Sequence, residues 1–188
     1  MIELEAVTVS YGDSPAVRAL SAAFEPASWV ALIGPNGAGK TSILRALCRL
    51  VAYSGRIRIA GRDIRGMRRH ELARTVALVP QIPETAPALT VAEYVLLGRT
   101  PYLGTFSNET KDDRAAAARA LVRLDLLQLS DRRLSSLSGG ELQRAVLARA
   151  IAQEARFSFS TSRRRPSTSD ASRTCSPSST RCAAAPLL

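Results

Sequence analysis

Gly34-Pro35-Asn36-Gly37-Ala38-Gly39-Lys40-Thr41 spells G-x-x-x-x-G-K-T, a spacing suited to holding the phosphates of a nucleoside triphosphate. The glycines let the backbone curl so that successive N–H groups converge on an anion. Lys40 carries a charge on a stem long enough to reach the β- and γ-phosphates, and the Thr41 hydroxyl can ligate Mg²⁺. Ser42 completes this set of candidate nucleotide-binding residues. Such a loop works only between a buried strand and a helix whose N-terminal end adds its own attraction for an anion. Trp29-Val30-Ala31-Leu32-Ile33 predicts the strand, and the residues from about Lys40 onward predict the helix.

A second constellation lies about a hundred residues further on. Leu137-Ser138-Gly139-Gly140-Glu141-Leu142-Gln143-Arg144 opens a predicted helix running through Glu154, with apolar residues at Leu142, Val146 and Ile151. Alone, Ser-Gly-Gly-Glu reads as an ordinary helix N-cap. Together with the phosphate loop it resembles the signature motif of ATP-binding cassette (ABC) ATPases. That resemblance implies that Ser138, Gly139, Gly140 and Glu141 form a second anion site. In the family, the signature of one subunit closes over the γ-phosphate held by the other, so two ATP molecules are sandwiched in a head-to-tail dimer.

Other positions take meaning from the same resemblance. Tyr11, in Val9-Ser10-Tyr11-Gly12, reads equally well as a plain aromatic at a strand end and as the aromatic that stacks on adenine in these ATPases. Gln81 closes Val76-Ala77-Leu78-Val79-Pro80-Gln81; on its own it is a solvated loop residue, but it matches the family's Q-loop glutamine. There its amide oxygen would join Thr41 on Mg²⁺ and help place the attacking water, while the loop senses the membrane partner. Leu97-Gly98-Arg99-Thr100-Pro101-Tyr102-Leu103-Gly104 is a Gly/Pro-punctuated connection that looks like a loop of importer ATPases for iron chelates, haem and cobalamin.

The family pattern breaks after the signature helix. An apolar strand ending in Asp-Glu is expected beyond Ala155, where the aspartate holds Mg²⁺ through water and the glutamate is general base. Arg156-Phe157-Ser158-Phe159-Ser160-Thr161-Ser162-Arg163-Arg164-Arg165-Pro166 stands there instead. Residues 156–188 hold 13 Ser or Thr, a single acid (Asp170) and no Gly, a composition that marks a boundary. The chain's one histidine, His70, lies upstream of the signature, in a predicted helix over Arg69–Arg74 where it reads as solvated, so no switch histidine follows it. The genetic code supplies a reason. The third base of each codon from Phe157 to Thr168, read with the first two bases of the next, permits Leu-Leu-Leu-Asp-Glu-Pro-Thr-Ser-Ala-Leu-Asp, the missing family motif. A frameshift near Arg156 is therefore expected, with everything beyond it translated out of frame and carrying no selected fold.

The expected architecture is α/β, a P-loop NTPase core with an ABC-type helical subdomain. It is expected to be incomplete, lacking the Walker B strand and the C-terminal part. Residues 1–85 and 137–155 form the core and signature helix, 86–136 the helical subdomain with the alanine-rich run Arg114–Leu127, and 156–188 a disordered tail. At 188 residues and 46% hydrophobic content the chain is large enough for one domain with a core. The net charge of +10 is misleading, because six Arg against one Asp in residues 156–188 supply half of it. With no aromatic–basic alternation beside it, that charge does not point to nucleic acid. Two of the three cysteines, Cys175 and Cys182, lie in the same tail, and Cys48 follows the phosphate loop, which is no disulfide or metal framework. No signal peptide opens the chain and no apolar run approaches the ~18 residues of a membrane span. The resemblance thus implies a bacterial importer subunit that binds ATP and Mg²⁺ on the cytoplasmic face of the cell membrane. Its partners would be a second ATPase subunit, transmembrane permease subunits and, indirectly, a substrate-binding protein. A nucleotide-binding regulator without turnover and a non-transport ABC ATPase acting on DNA are the rival readings. The latter would need a long coiled-coil insertion, and no sustained heptad pattern is present.

Overall fold

The computed structural model describes residues 1–26, 28–80, 88–104 and 108–160 and the backbone of 182–186. Its first strand, β1 (Ile2–Tyr11), buries Ile2, Leu4, Val7 and Val9. Alternation holds on either side of Glu5-Ala6 but changes parity across it, so one face stays buried only if a residue bulges out. It does. The pairings of β1 with β2 (Ser14–Phe24) and β4 (Ser54–Ile59), both antiparallel, shift register between Leu4 and Val7 and between Glu5 and Thr8, and Ala6 takes a φ of 47°. Ala6 N–H donates to Ser21 Oγ and Ala19 N–H to Thr8 Oγ1, each at 2.9 Å, so two hydroxyls provide acceptors for backbone amides at the irregularity. Gly55, at φ 82°, crosses the same bulge, and a Cβ there would overlap the Ala6 carbonyl oxygen. With β5 (Arg62–Asp63) the sheet order is β2-β1-β4-β5.

The chain divides into two compact units, Met1–Met67 with Arg163–Leu188, and Arg68–Ser162. In the first, the apolar run read as a strand is β3 (Trp29–Ile33). It pairs in parallel with β8 (Cys182–Pro186), from Trp29 opposite Cys182 to Ile33 opposite Pro186. Helix α1 (Lys40–Leu47) follows the phosphate loop and buries Ile43, Ala46 and Leu47.

In the second unit, α2 (Arg69–Thr75) runs directly into β6 (Val76–Val79), with His70 exposed on α2. Helix α3 (Val91–Leu96), a 3₁₀ turn over Leu97–Tyr102, α4 (Lys111–Arg123) and α5 (Gly139–Ala152) enclose a core that includes Val91, Val95, Leu121, Leu126, Ala145 and Ala148. The alanine-rich run packs as its spacing requires: Ala116, Ala117 and Ala120 are buried on one face of α4. Three helices begin on reciprocal caps. Thr90, Thr110 and Ser138 accept the N–H of Glu93, Asp113 and Glu141, whose carboxylates reach back to the capping residue.

The tail departs from expectation at two places. Phe157–Ser160 forms strand β7, parallel to β6 from Val76 opposite Phe157 to Val79 opposite Ser160, where no strand was expected. The N–H and C=O groups that pair a strand are present on every non-proline residue, and Phe-Ser-Phe-Ser has the period of two that a one-sided strand needs. Its phenylalanines are half-buried and its serines exposed. The backbone of 182–186, expected to be disordered, is β8. The signature helix also ends earlier than read, at Ala152, and Glu154 turns out at φ 50°.

Candidate functional site

The phosphate loop sits in the first unit, between β3 and α1. Gly39 caps α1 at φ 78°, and a Cβ there would overlap the Ala16 carbonyl oxygen and the Val17 side chain, so both backbone and space require glycine. The same contact places the loop against β2 where Val17 pairs with Val9, in the hairpin whose tip carries Tyr11. Gly37 is also left-handed, at φ 86°, and Ala38 N–H donates to the Pro35 carbonyl at 3.2 Å to close the turn. Lys40 Nζ donates to the carbonyls of Gly34 and Pro35 at 2.7 and 2.6 Å, which holds the ammonium on the rim of the loop. No acidic residue stands in the first turn of α1, so the positive end of the helix dipole is not offset from within the helix. Thr41 is exposed in that turn, Ser42 is half-buried beside it, and Tyr11 is 49% exposed at the end of β1.

The signature residues open α5 in the second unit. Ser138 N–H donates to Glu141 Oε2 at 2.7 Å, and Glu141 N–H donates to Ser138 Oγ at 3.3 Å. The Ser138 amide, then its hydroxyl, hold the Glu141 carboxyl below its usual range. Gly139 and Gly140 are exposed and outside the left-handed region, and a Cβ on either would meet nothing within 4 Å. Glycine costs a helix stability relative to alanine, so neither conformation nor packing among the described residues accounts for it there. What two glycines do provide is bare backbone N–H groups at a helix N-terminus, open to close approach by an anion.

Gln81 lies outside the described residues. Among those described, no group of three or more His, Cys, Asp or Glu is arranged to hold a metal ion. Of the two residues expected on Mg²⁺, Thr41 is therefore the one among the described residues. Strand β7 ends in Ser160, which brings a hydroxyl and no carboxylate.

One cluster was not legible as a site. Arg99, 6% exposed, donates from Nε to Asp113 Oδ1 at 2.9 Å and from Nη1 to the Ala152 carbonyl and Glu154 Oε2, both at 2.8 Å. Burial works against its charge, but the bonds to Asp113 and Glu154 outweigh that and leave its pKa raised. The only sequence signal was its place in Leu97–Gly104; nothing in the spacing of 99, 113 and 154 announces that they meet.

Residues 17–159 match the family described as ABC transporter, and this chain belongs to that family. It is 36% identical over 154 residues, 81% of the chain, to the probable siderophore transport system ATP-binding protein YusV of Bacillus subtilis (strain 168), covering 56% of that protein. It is 36% identical over 154 residues to the hemin import ATP-binding protein HmuV of Pseudomonas entomophila (strain L48), covering 81% of this chain and 59% of the relative. Among solved structures, it matches the dimeric post-hydrolysis state of the ATP-binding cassette MJ0796 bound to ADP and Pi. That match has a TM-score of 0.73 at 25% identity, over 85% of this chain and 73% of the other. The chain thus spans a little over half the length of these two curated relatives. Among the described residues, no helix is long and apolar enough to cross a membrane.

Proposed function

We propose that this chain is the ATP-binding subunit of a bacterial ABC importer whose cargo is an iron-siderophore, haem or cobalamin. The carrying observation is the pair Gly139 and Gly140, exposed glycines that no neighbour and no backbone angle requires, at the mouth of a capped helix. A phosphate approaching from a second copy of the chain is the group they fit. Support for the cargo class comes from the relatives' names and from the Leu97–Gly104 segment.

In this reading the loop amides of Gly34–Lys40 cradle the phosphates, Lys40 swings from the Gly34 and Pro35 carbonyls onto the β- and γ-phosphates, and Tyr11 covers the adenine. Thr41 and Gln81 would hold Mg²⁺, whose charge offsets that of the phosphates. Closure of Ser138–Glu141 over the partner copy's nucleotide completes the dimer. Permease subunits engage the chain at Gln81 and the helical segment, the substrate-binding protein acts through them, and the chain sits on the inner face of the cell membrane. Strand β7 carries no carboxylate to activate water, so the 188-residue chain binds nucleotide without turning it over. The test is equilibrium binding of Mg-ATP to the full chain. Lys40→Ala should weaken binding at least about tenfold by removing the phosphate-facing charge, and equal affinity in both proteins would sink the assignment.

A further inference from the structure

We infer that Arg99 is a positioning residue for the signature motif: it clamps the far end of α5 and thereby sets the pose in which Ser138–Glu141 meets the nucleotide of a second copy. This rests on the dimer reading proposed above. The two ends of α5 are built differently. Its N-terminus is capped locally by Ser138 and Glu141, whereas its C-terminus is capped from a distance. The Ala152 carbonyl accepts from Arg99 Nη1 at 2.8 Å and the Gln153 carbonyl from the Tyr102 hydroxyl at 3.1 Å, at the end of the helix where the dipole favours a cation.

Close approach makes the clamp possible. A Cβ on Gly98 would overlap the Arg149 carbonyl oxygen and lie 3.2 Å from Ala152 Cβ, so the 3₁₀ turn lies directly on the helix. The Arg99 guanidinium then ties its turn to two other chain segments at once. Beside Ala152 it meets Asp113 in the first turn of α4 and Glu154 past the end of α5. It also stacks on the Tyr102 ring, 3.8 Å from its centroid, with the Arg74 guanidinium over that ring at 4.8 Å. A lysine cannot replace this fork. Because α5 is a 14-residue helix, a tilt at the clamp moves the signature residues about 20 Å away as a rigid arm.

The experiment is Mg-ATP-dependent self-association of the full chain by sedimentation, in wild type, Arg99→Lys, Ser138→Ala and the double variant. Mg-ATP binding to the monomer is measured alongside. Arg99→Lys is expected to weaken association about tenfold while leaving monomer affinity unchanged, because the phosphate loop belongs to the other compact unit. Residues this far apart that act independently would show losses that multiply. Arg99 acting through the signature predicts instead a double variant no weaker than Ser138→Ala to within about twofold. Multiplying losses, or wild-type association by Arg99→Lys, overturn the inference. If Arg99→Lys is insoluble, Tyr102→Phe removes only the hydroxyl on Gln153. It should show the same non-additivity at smaller size, and undiminished association would again overturn the inference. A wild-type chain that never associates with Mg-ATP removes the dimer reading itself, a result distinct from either of these.

Discussion

Ser160 stands opposite Val79, side by side in parallel register at the ends of β7 and β6. In the shifted reading that the codons permit, the aspartate triplet takes its first base from codon 160 and its other two from codon 161, and the glutamate triplet follows it. Strand β7 thus lies beside β6 and carries no carboxylate.

Hydrolysis is accordingly expected at background for the 188-residue chain. Loss of a general base alone costs about 10²–10⁴ in rate, and here a Mg²⁺-positioning group is absent with it. Shifting the frame after codon 156 should restore Leu-Leu-Leu-Asp-Glu-Pro, a longer C-terminal half containing a histidine, and ATP turnover. Changing the restored glutamate to glutamine should then trap a nucleotide-bound dimer. Phosphate release assays decide: Lys40-dependent turnover by the unaltered chain, or an early stop in the shifted frame, would contradict the prediction.

Gly139 and Gly140 separate stability from function. Gly139→Ala and Gly140→Ala should each leave the thermal midpoint unchanged or raise stability by up to about 1 kcal/mol, since alanine is the better helix former and nothing lies where the methyl would go. Mg-ATP-dependent self-association should fall in both. A loss of more than about 1 kcal/mol in either variant would mean that the glycine serves the fold after all.

Asp113 and Glu154 contribute to acid stability. Asp113 is held below its ordinary 3.8 first by the Thr110 hydroxyl and next by Arg99, and Glu154 below its ordinary 4.5 first by Arg119 and then by Arg99. A carboxylate whose pKa is lowered by folding contributes fully above its unfolded value and loses that contribution as pH falls through its folded one. The contribution of this pair should therefore be full well above pH 4.5 and be lost as pH falls below it. Asp113→Asn should flatten part of the decline. At neutral pH it should cost about 3 kcal/mol, because the buried Arg99 guanidinium loses an ionic partner. Denaturant titrations from neutral pH into this acid range check both, and superimposable profiles would remove Asp113 as a source.

What the linear chain determined by itself is local. The phosphate loop, strands Trp29–Ile33 and Val76–Val79, and the Ser138 cap are written in contiguous residues, because glycine conformation, hydrophobic runs and side-chain capping act over a few positions. So was the missing carboxylate pair, a matter of residue identity. Tertiary structure decided what depends on distant partners. Residues 157–160 became a strand by pairing in parallel with β6, through backbone groups that every non-proline residue carries. Arg99 became a buried clamp only because Gly98 allows its turn to rest on α5 and brings Asp113, Ala152 and Glu154 within hydrogen-bond reach of one guanidinium. Pairings between residues so far apart in sequence leave no periodicity to read, since they are set by how the helices pack.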